Sequence, residues 1–128
     1  MNLVAVDYQA DNAAELFAKS LHETGFGVLK NHPIKKQLVE DIYTAWQAFF
    51  DSEEKFDYTY NKGTQDGYFS KSVSEVAKGF KKKDIKEYFP YYTWGICPPE
   101  LKQQLADYYA KTTSLAAELL SWVEDNAP

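Results

Sequence analysis

The sequence predicts an α/β fold in which helices outweigh strands: a short strand-helix-strand unit, then amphipathic helices, an aromatic loop with extended pieces, and a long C-terminal helix. Three observations predict it. Two short apolar runs, Leu3-Val4-Ala5-Val6 and Phe26-Gly27-Val28-Leu29, flank one helical stretch. Apolar residues then recur at helical spacing from Leu38 to Phe50 and again from Leu101 to Val123. Between those stretches the periodicity fails, and Gly63, Asp66-Gly67 and Gly79 mark turns among Tyr58, Tyr60, Tyr68 and Phe69. A chain of 128 residues has the size of one ordinary domain, so residues 1–128 are expected to form a single domain.

The first strand is short because Asp7 ends its apolar run. Asn12 then stands where a helix cap belongs, with Glu15 three residues on to complete a capping box. Leu16, Phe17, Ser20 and Leu21 share one face, and Gly25 supplies a left-handed stop, so a helix is expected over Ala13 to Thr24. A second strand follows and ends in the polar corner Asn31-His32-Pro33; if the two strands are parallel, the crossover is right-handed. Leu38, Val39, Ile42, Tyr43, Trp46, Phe49 and Phe50 form one broad apolar stripe, which makes Trp46 a structural anchor. Asp51 and Glu54 suggest another capping box, opening a short helix that carries Phe56.

Tyr58 to Gly79 is read as an ordered loop, because its aromatics are too many for a disordered linker. Ile85 to Thr93 alternates like an extended segment, with Pro90 confining it to an edge or bend. Lys81-Lys82-Lys83 reads as a solvated turn. Pro98-Pro99 opens the last helix.

Composition excludes several functions. The formal charge is −5, which gives no general attraction for polyphosphate, so no nucleic-acid partner is expected. No apolar stretch is long enough to span a membrane, and the N-terminus lacks the basic start of a signal peptide. With Cys97 as the single cysteine, no intrachain disulfide can form, and a cytoplasmic location is expected. All fourteen basic residues are lysines, so the bidentate carboxylate clamp of arginine is missing.

Catalytic and metal motifs are also missing. A mononuclear iron oxygenase site needs two histidines and a carboxylate, usually beginning as His-x-Asp/Glu. The two histidines, His22 and His32, have no carboxylate two residues on, and one cysteine with two unpaired histidines does not assemble a zinc site. No metal ligand and no catalytic residue is therefore assigned. Glu53-Glu54 and Glu23 are explained by helix electrostatics, and Cys97 has no activating neighbour in sequence. Gly25-Phe26-Gly27 runs from helix to strand, the reverse of a phosphate cradle.

The order of short blocks carries more information than any one of them. Gly25-Phe26 with Asn31-His32, then Phe49-Phe50 with Glu53-Glu54-Lys55, then Gly67-Tyr68-Phe69, Glu75-x-Ala77-Lys78-Gly79 and Asp84-x-Lys86-Glu87-x-Phe89 occur in succession. Together with the closing helix they resemble the N-terminal region of isopenicillin-N-synthase-like 2-oxoglutarate/Fe(II) dioxygenases. Gly27 replaces that family's second aromatic, Pro33 its usual glycine, and Asp51-Ser52 its common Leu-Pro. The resemblance implies the N-terminal part of a jelly-roll oxygenase without the jelly roll. Fe(II) and 2-oxoglutarate are then expected only with the missing catalytic domain, which is the implied partner, in cis or in trans. It further implies that the two strands extend the jelly-roll sheet. Gln65, Asp66, Tyr68 and Phe69 are the implied substrate-lining residues, while Asn31 and His32 are read as scaffold. A stand-alone module binding a small ligand or protein is the alternative, and exposed edges make a homodimer an expected association.

Overall fold

In the computed structural model, residues 3–72 and 86–127 are described. The elements run β1 (Ala5–Asp7), α1 (Ala13–Thr24), β2 (Val28–Lys30), α2 (Lys36–Asp51), a 3-10 helix (Glu53–Tyr58) and α3 (Pro99–Asn126). The solvated turn expected at Lys81 to Lys83, the turn at Gly79 and the start of the extended segment at Ile85 lie outside the described residues. The chain forms two compact units, residues 1–39 with 107–128, and residues 40–106.

In the first unit β1 and β2 pair in parallel, Ala5 with Val28, Val6 with Leu29 and Asp7 with Lys30, with α1 as the crossover. The first strand starts later than its apolar run implies: Leu3 and Val4 precede it and are 47% and 70% exposed, while Val6 is buried. α1 has the expected bounds. Gly25 closes it at φ 77, its N–H donating to the Leu21 carbonyl at 2.9 Å, as a left-handed stop should. The capping box does not form. Asn12 occupies the cap position at φ −104, ψ 20, outside the extended geometry that aims the side chain at the first turn, and makes no side-chain cap bond. Ser20 Oγ donates instead to the Phe26 carbonyl at 2.8 Å, tying the helix end to the approach of β2. Phe17 is buried and meets Trp122 of α3 edge-on at 6.0 Å. Trp122 also stacks on Tyr8 at 5.4 Å, and the Tyr8 hydroxyl donates to Glu118 at 2.6 Å. Gly27 is required here, since a Cβ would lie 2.2 Å from the Phe17 ring.

The second unit is built on rings. Phe49, Leu101 and Leu105 are buried, and Ile42, Trp46, Phe50, Tyr58 and Phe89 pack against them. Ile42, Trp46, Phe49 and Phe50 of the α2 stripe thus belong to this core, whereas Tyr43 is 75% exposed. The second capping box does not form either. Ser52, in extended geometry, holds the cap position of the 3-10 helix, and its hydroxyl turns back to donate to the Phe49 carbonyl at 2.8 Å. Pro98 is fully buried and Pro99 begins α3.

Candidate functional site

The chain after the 3-10 helix folds on itself as a small patch joined by isolated bridges, Thr59 with Tyr68, Asn61 with Asp66 and Phe69 with Tyr88. The Tyr68 N–H donates to the Tyr58 carbonyl at 2.6 Å, the Tyr60 N–H to the Tyr68 carbonyl at 3.0 Å, and Phe69 exchanges both backbone bonds with Tyr88 at 2.8 and 3.1 Å. Extended chain alternates its side chains, so neighbours in sequence go to opposite faces. Tyr68, Glu87 and Phe89 turn inward, while Phe69 and Tyr88 turn outward.

The inward face holds a polar knot. The Tyr68 hydroxyl donates to Glu87 Oε2, and Lys55 Nζ lies 3.5 Å from the same oxygen. Lys55 Nζ also donates to the Phe50 carbonyl at 2.5 Å and stands 5.6 Å above the rings of Phe56 and Tyr68. The Tyr68 bond, then the Lys55 and Lys71 charges, hold the Glu87 carboxyl below the usual carboxylate range against its partial burial. Burial first, and the bond to Glu87 next, push the Tyr68 hydroxyl up to about 12.

The tight turn before Tyr68 explains the Asp66-Gly67 pair. Asp66 is 3% exposed; its carboxylate accepts from the Thr64 hydroxyl and, at Oδ2, from the Ile96 N–H at 2.8 Å, while its backbone carbonyl accepts the Asn61 N–H at 3.0 Å. Gly67 has φ 98, and a Cβ there would lie 2.6 Å from the Tyr58 carbonyl oxygen. Gln65 also takes a left-handed φ of 59 and is exposed.

Of the four residues implied to line a substrate, Asp66 and Tyr68 are buried with their polar atoms engaged inside the unit. Gln65 is exposed. Phe69 is half-buried, sandwiched by Tyr60 at 4.1 Å and Tyr88 at 4.5 Å. Asn31, at φ 58, donates from Nδ2 to Asp7 Oδ2 at 3.0 Å and so joins the ends of β2 and β1. That bond first, and the Gln9 N–H next, lower the Asp7 pKa. His32 Nδ1 accepts the Ile34 N–H at 3.2 Å, a corner role within its own turn. Trp46 is half-buried and meets Phe49 and Phe89 at 5.2 Å and Phe50 at 5.7 Å.

Lys55 and Glu87 have the most central places in this knot, yet periodicity singles out neither. Their only signal lay in the block order, where Glu53-Glu54-Lys55, Gly67-Tyr68 and Lys86-Glu87-x-Phe89 stood as separate matches. Folding brings the three together. Among the described residues no group of three His, Cys, Asp or Glu side chains could hold a metal, and the chain has no arginine. No helix among them is long and apolar enough to cross a membrane.

A short parallel two-stranded sheet among helices, followed by an aromatic patch and a long helix, is a mixed α/β architecture. The particular family follows from comparison. Residues 3–111 match the family described as "non-haem dioxygenase in morphine synthesis N-terminal", and the chain belongs to it. Among solved structures it is similar to a candidate oxygenase from Shewanella oneidensis, with 53% identity and a TM-score of 0.88. That likeness covers 100% of this chain and 46% of the neighbour, so the chain spans about half the neighbour's length. No curated protein matches.

Proposed function

We propose that this chain is the scaffold and substrate-approach portion of a 2-oxoglutarate/Fe(II)-dependent oxygenase of the isopenicillin-N-synthase-like class. The observation that carries the proposal is the convergence of its family blocks on Lys55, Tyr68 and Glu87. Such a knot holds the Gln65 to Phe69 loop in one conformation, which is what a wall facing a substrate needs. Asp66 and Tyr68 act as its supports, and Gln65 and Phe69 remain to meet a ligand. Iron and 2-oxoglutarate are bound by a jelly-roll half, in cis or in trans, whose sheet takes up β1 and β2. The assembly works in the cytoplasm.

The test is Fe(II)-dependent conversion of 2-oxoglutarate to succinate. The protein encoded by the whole natural reading frame, or this chain with its jelly-roll partner, is expected to show it, and residues 1–128 alone are expected to bind neither iron nor 2-oxoglutarate in calorimetry. Stoichiometric iron binding by residues 1–128 that depends on His22 or His32 would overturn the reading. So would the absence of any His-x-Asp…His partner in cis or in trans.

A further inference from the structure

The Asp66-Gly67 end of the patch is joined to a second turn. Asp66 Oδ2 accepts the Ile96 N–H at 2.8 Å, and the Gly95 N–H donates to the Tyr92 carbonyl at 3.1 Å, so residues 92–96 turn tightly against residues 65–67. Two glycines permit that approach: a Cβ at Gly95 would lie 3.1 Å from Asp66 Oδ2, and one at Gly67 would lie 3.1 Å from Ile96 Cδ1. Because Phe69 pairs antiparallel with Tyr88, this junction lies away from the end at which Ser72 and Lys86 stand. Tyr92 and Trp94 stack here at 4.7 Å with 10° between their planes, and Trp94 is 65% exposed. Tyr92 and Ile96 are exposed beside it. Three exposed apolar side chains gathered on one turn serve the core little, while the fixed backbone keeps them where a ligand can use them.

Gln65 stands at the same junction. Its φ of 59 is left-handed, a conformation that is costly for a residue with a Cβ and easy for glycine, and its side chain is exposed. Within the described residues neither the Gln65 amide nor the Trp94 indole N–H has a hydrogen-bond partner. A glutamine thus occupies a place that suits glycine better, with its donor and its acceptor both unspent.

From this combination we infer that Gln65 and the Tyr92–Trp94 stack form a binding site for an uncharged planar ring compound that bears a carboxamide or similar hydrogen-bonding group. The ring of the ligand continues the stack on the indole, and its polar group exchanges hydrogen bonds with the Gln65 amide. Two parallel rings select a third flat ring over a puckered sugar, because stacking needs contact across the ring plane. Lys62 and Asp66 are the only side chains charged at neutral pH in residues 61–67 and 92–96, and the Asp66 carboxylate is engaged by Thr64 and Ile96, which favours a neutral occupant. The inference rests on the substrate-approach reading through Gln65 and adds the substrate class. Binding without turnover defeats that reading alone, and turnover without binding defeats this inference alone.

The experiment titrates the intact protein with indole-3-carboxamide, followed by calorimetry and by the NMR signal of the Trp94 indole N–H, assigned through its loss in Trp94→Ala. Indole-3-carboxylate and methyl β-D-glucoside serve as comparison ligands. Saturable carboxamide binding that shifts the Trp94 signal is expected, about tenfold weaker in Trp94→Ala and about fivefold weaker in Gln65→Ala. Gln65→Gly should weaken binding equally while raising the folding constant about threefold, since it relieves the left-handed φ. Lys62→Gln should leave the affinity unchanged. These side chains are exposed, so the variants keep the fold. Carboxamide binding that is absent, or indifferent to Trp94→Ala or to the Gln65 variants, overturns the inference. A Gln65→Gly protein less stable than wild type overturns it by giving the side chain a structural role. A loss of affinity in Lys62→Gln, or tighter binding of the carboxylate or the glucoside, overturns the class of ligand and with it the inference.

Discussion

At the scale of single residues, the Tyr68–Glu87 bond is the feature whose removal is most informative. Tyr68→Phe keeps the ring and deletes the hydroxyl, leaving Glu87 with Lys55 as its charged partner. A hydrogen bond to a charged group of this kind is worth about 1.5 kcal/mol near neutral pH. The sign of its pH dependence follows from the two shifts. Glu87 is held below its ordinary value of 4.5, so its share of stability is present above that value and is lost as pH falls from there through the lowered folded value. Tyr68 is raised from 10.0 to about 12, so the bond's other limb is lost only as pH climbs through that alkaline range. Denaturant melts of wild type and Tyr68→Phe should differ most between about pH 5 and 10 and converge in acid. A difference that stayed constant down to pH 3 would assign the loss to packing. Little of this was legible beforehand. Tyr68 stood out as an aromatic beside a turn, and burial decides which of its two faces matters; alternation places it inward only once the Phe69–Tyr88 pairing is known.

At the scale of elements, legibility divides along a physical line. α1 ran to its expected bounds because Gly25 at φ 77 is a local, chemically unambiguous stop. The sequence leaves the β1–β2 pairing conditional; the structure makes it parallel, with α1 as the crossover. The Asn12 box failed because its backbone angles are not a cap's, which spacing does not reveal; the Asp51 box failed because α2 runs through Asp51, and the cap position falls on Ser52, whose hydroxyl donates back to the Phe49 carbonyl. Asn12→Ala should therefore cost under about 0.5 kcal/mol, well below a working cap, and a thermal melt showing 1 kcal/mol or more would mean the cap forms in solution. α2 gives the opposite expectation. Trp46 touches three rings of the second unit's core, so Trp46→Ala should cost about 3 kcal/mol, at the low end for a large aromatic because the ring is half-buried. A loss below 1 kcal/mol in urea melts would show that the contact with Phe49 and Phe89 is dispensable. Tyr43 lies on the same stripe and is 75% exposed, a reminder that periodicity defines a face but not its edges.

At the scale of the whole molecule, the two-stranded parallel sheet sets the behaviour of the isolated chain. Parallel sheets are stable when both faces are covered and more strands follow; two strands of three residues each satisfy little of their backbone. Each strand of the described sheet has one edge without a neighbouring strand among the described residues, and Leu3, Val4, Phe26 and Val28, in or next to these strands, are between 40% and 70% exposed. Unpaired backbone groups beside apolar surface are a template for another chain. A second copy is the available occupant when residues 1–128 are purified alone, and a two-fold pairing of edges closes the assembly at a dimer. Sedimentation over a concentration series should show a monomer–dimer equilibrium, and Val4→Lys, which places a charge beside the β1 edge without touching the core, should shift it toward monomer by about tenfold in Kd. Adding a catalytic half that supplies the next strand should abolish the dimer in the same way. A strict monomer at high concentration, with the β1 and β2 amides protected from exchange, would show that the small sheet completes itself, and would favour a free-standing binding module over one half of an oxygenase.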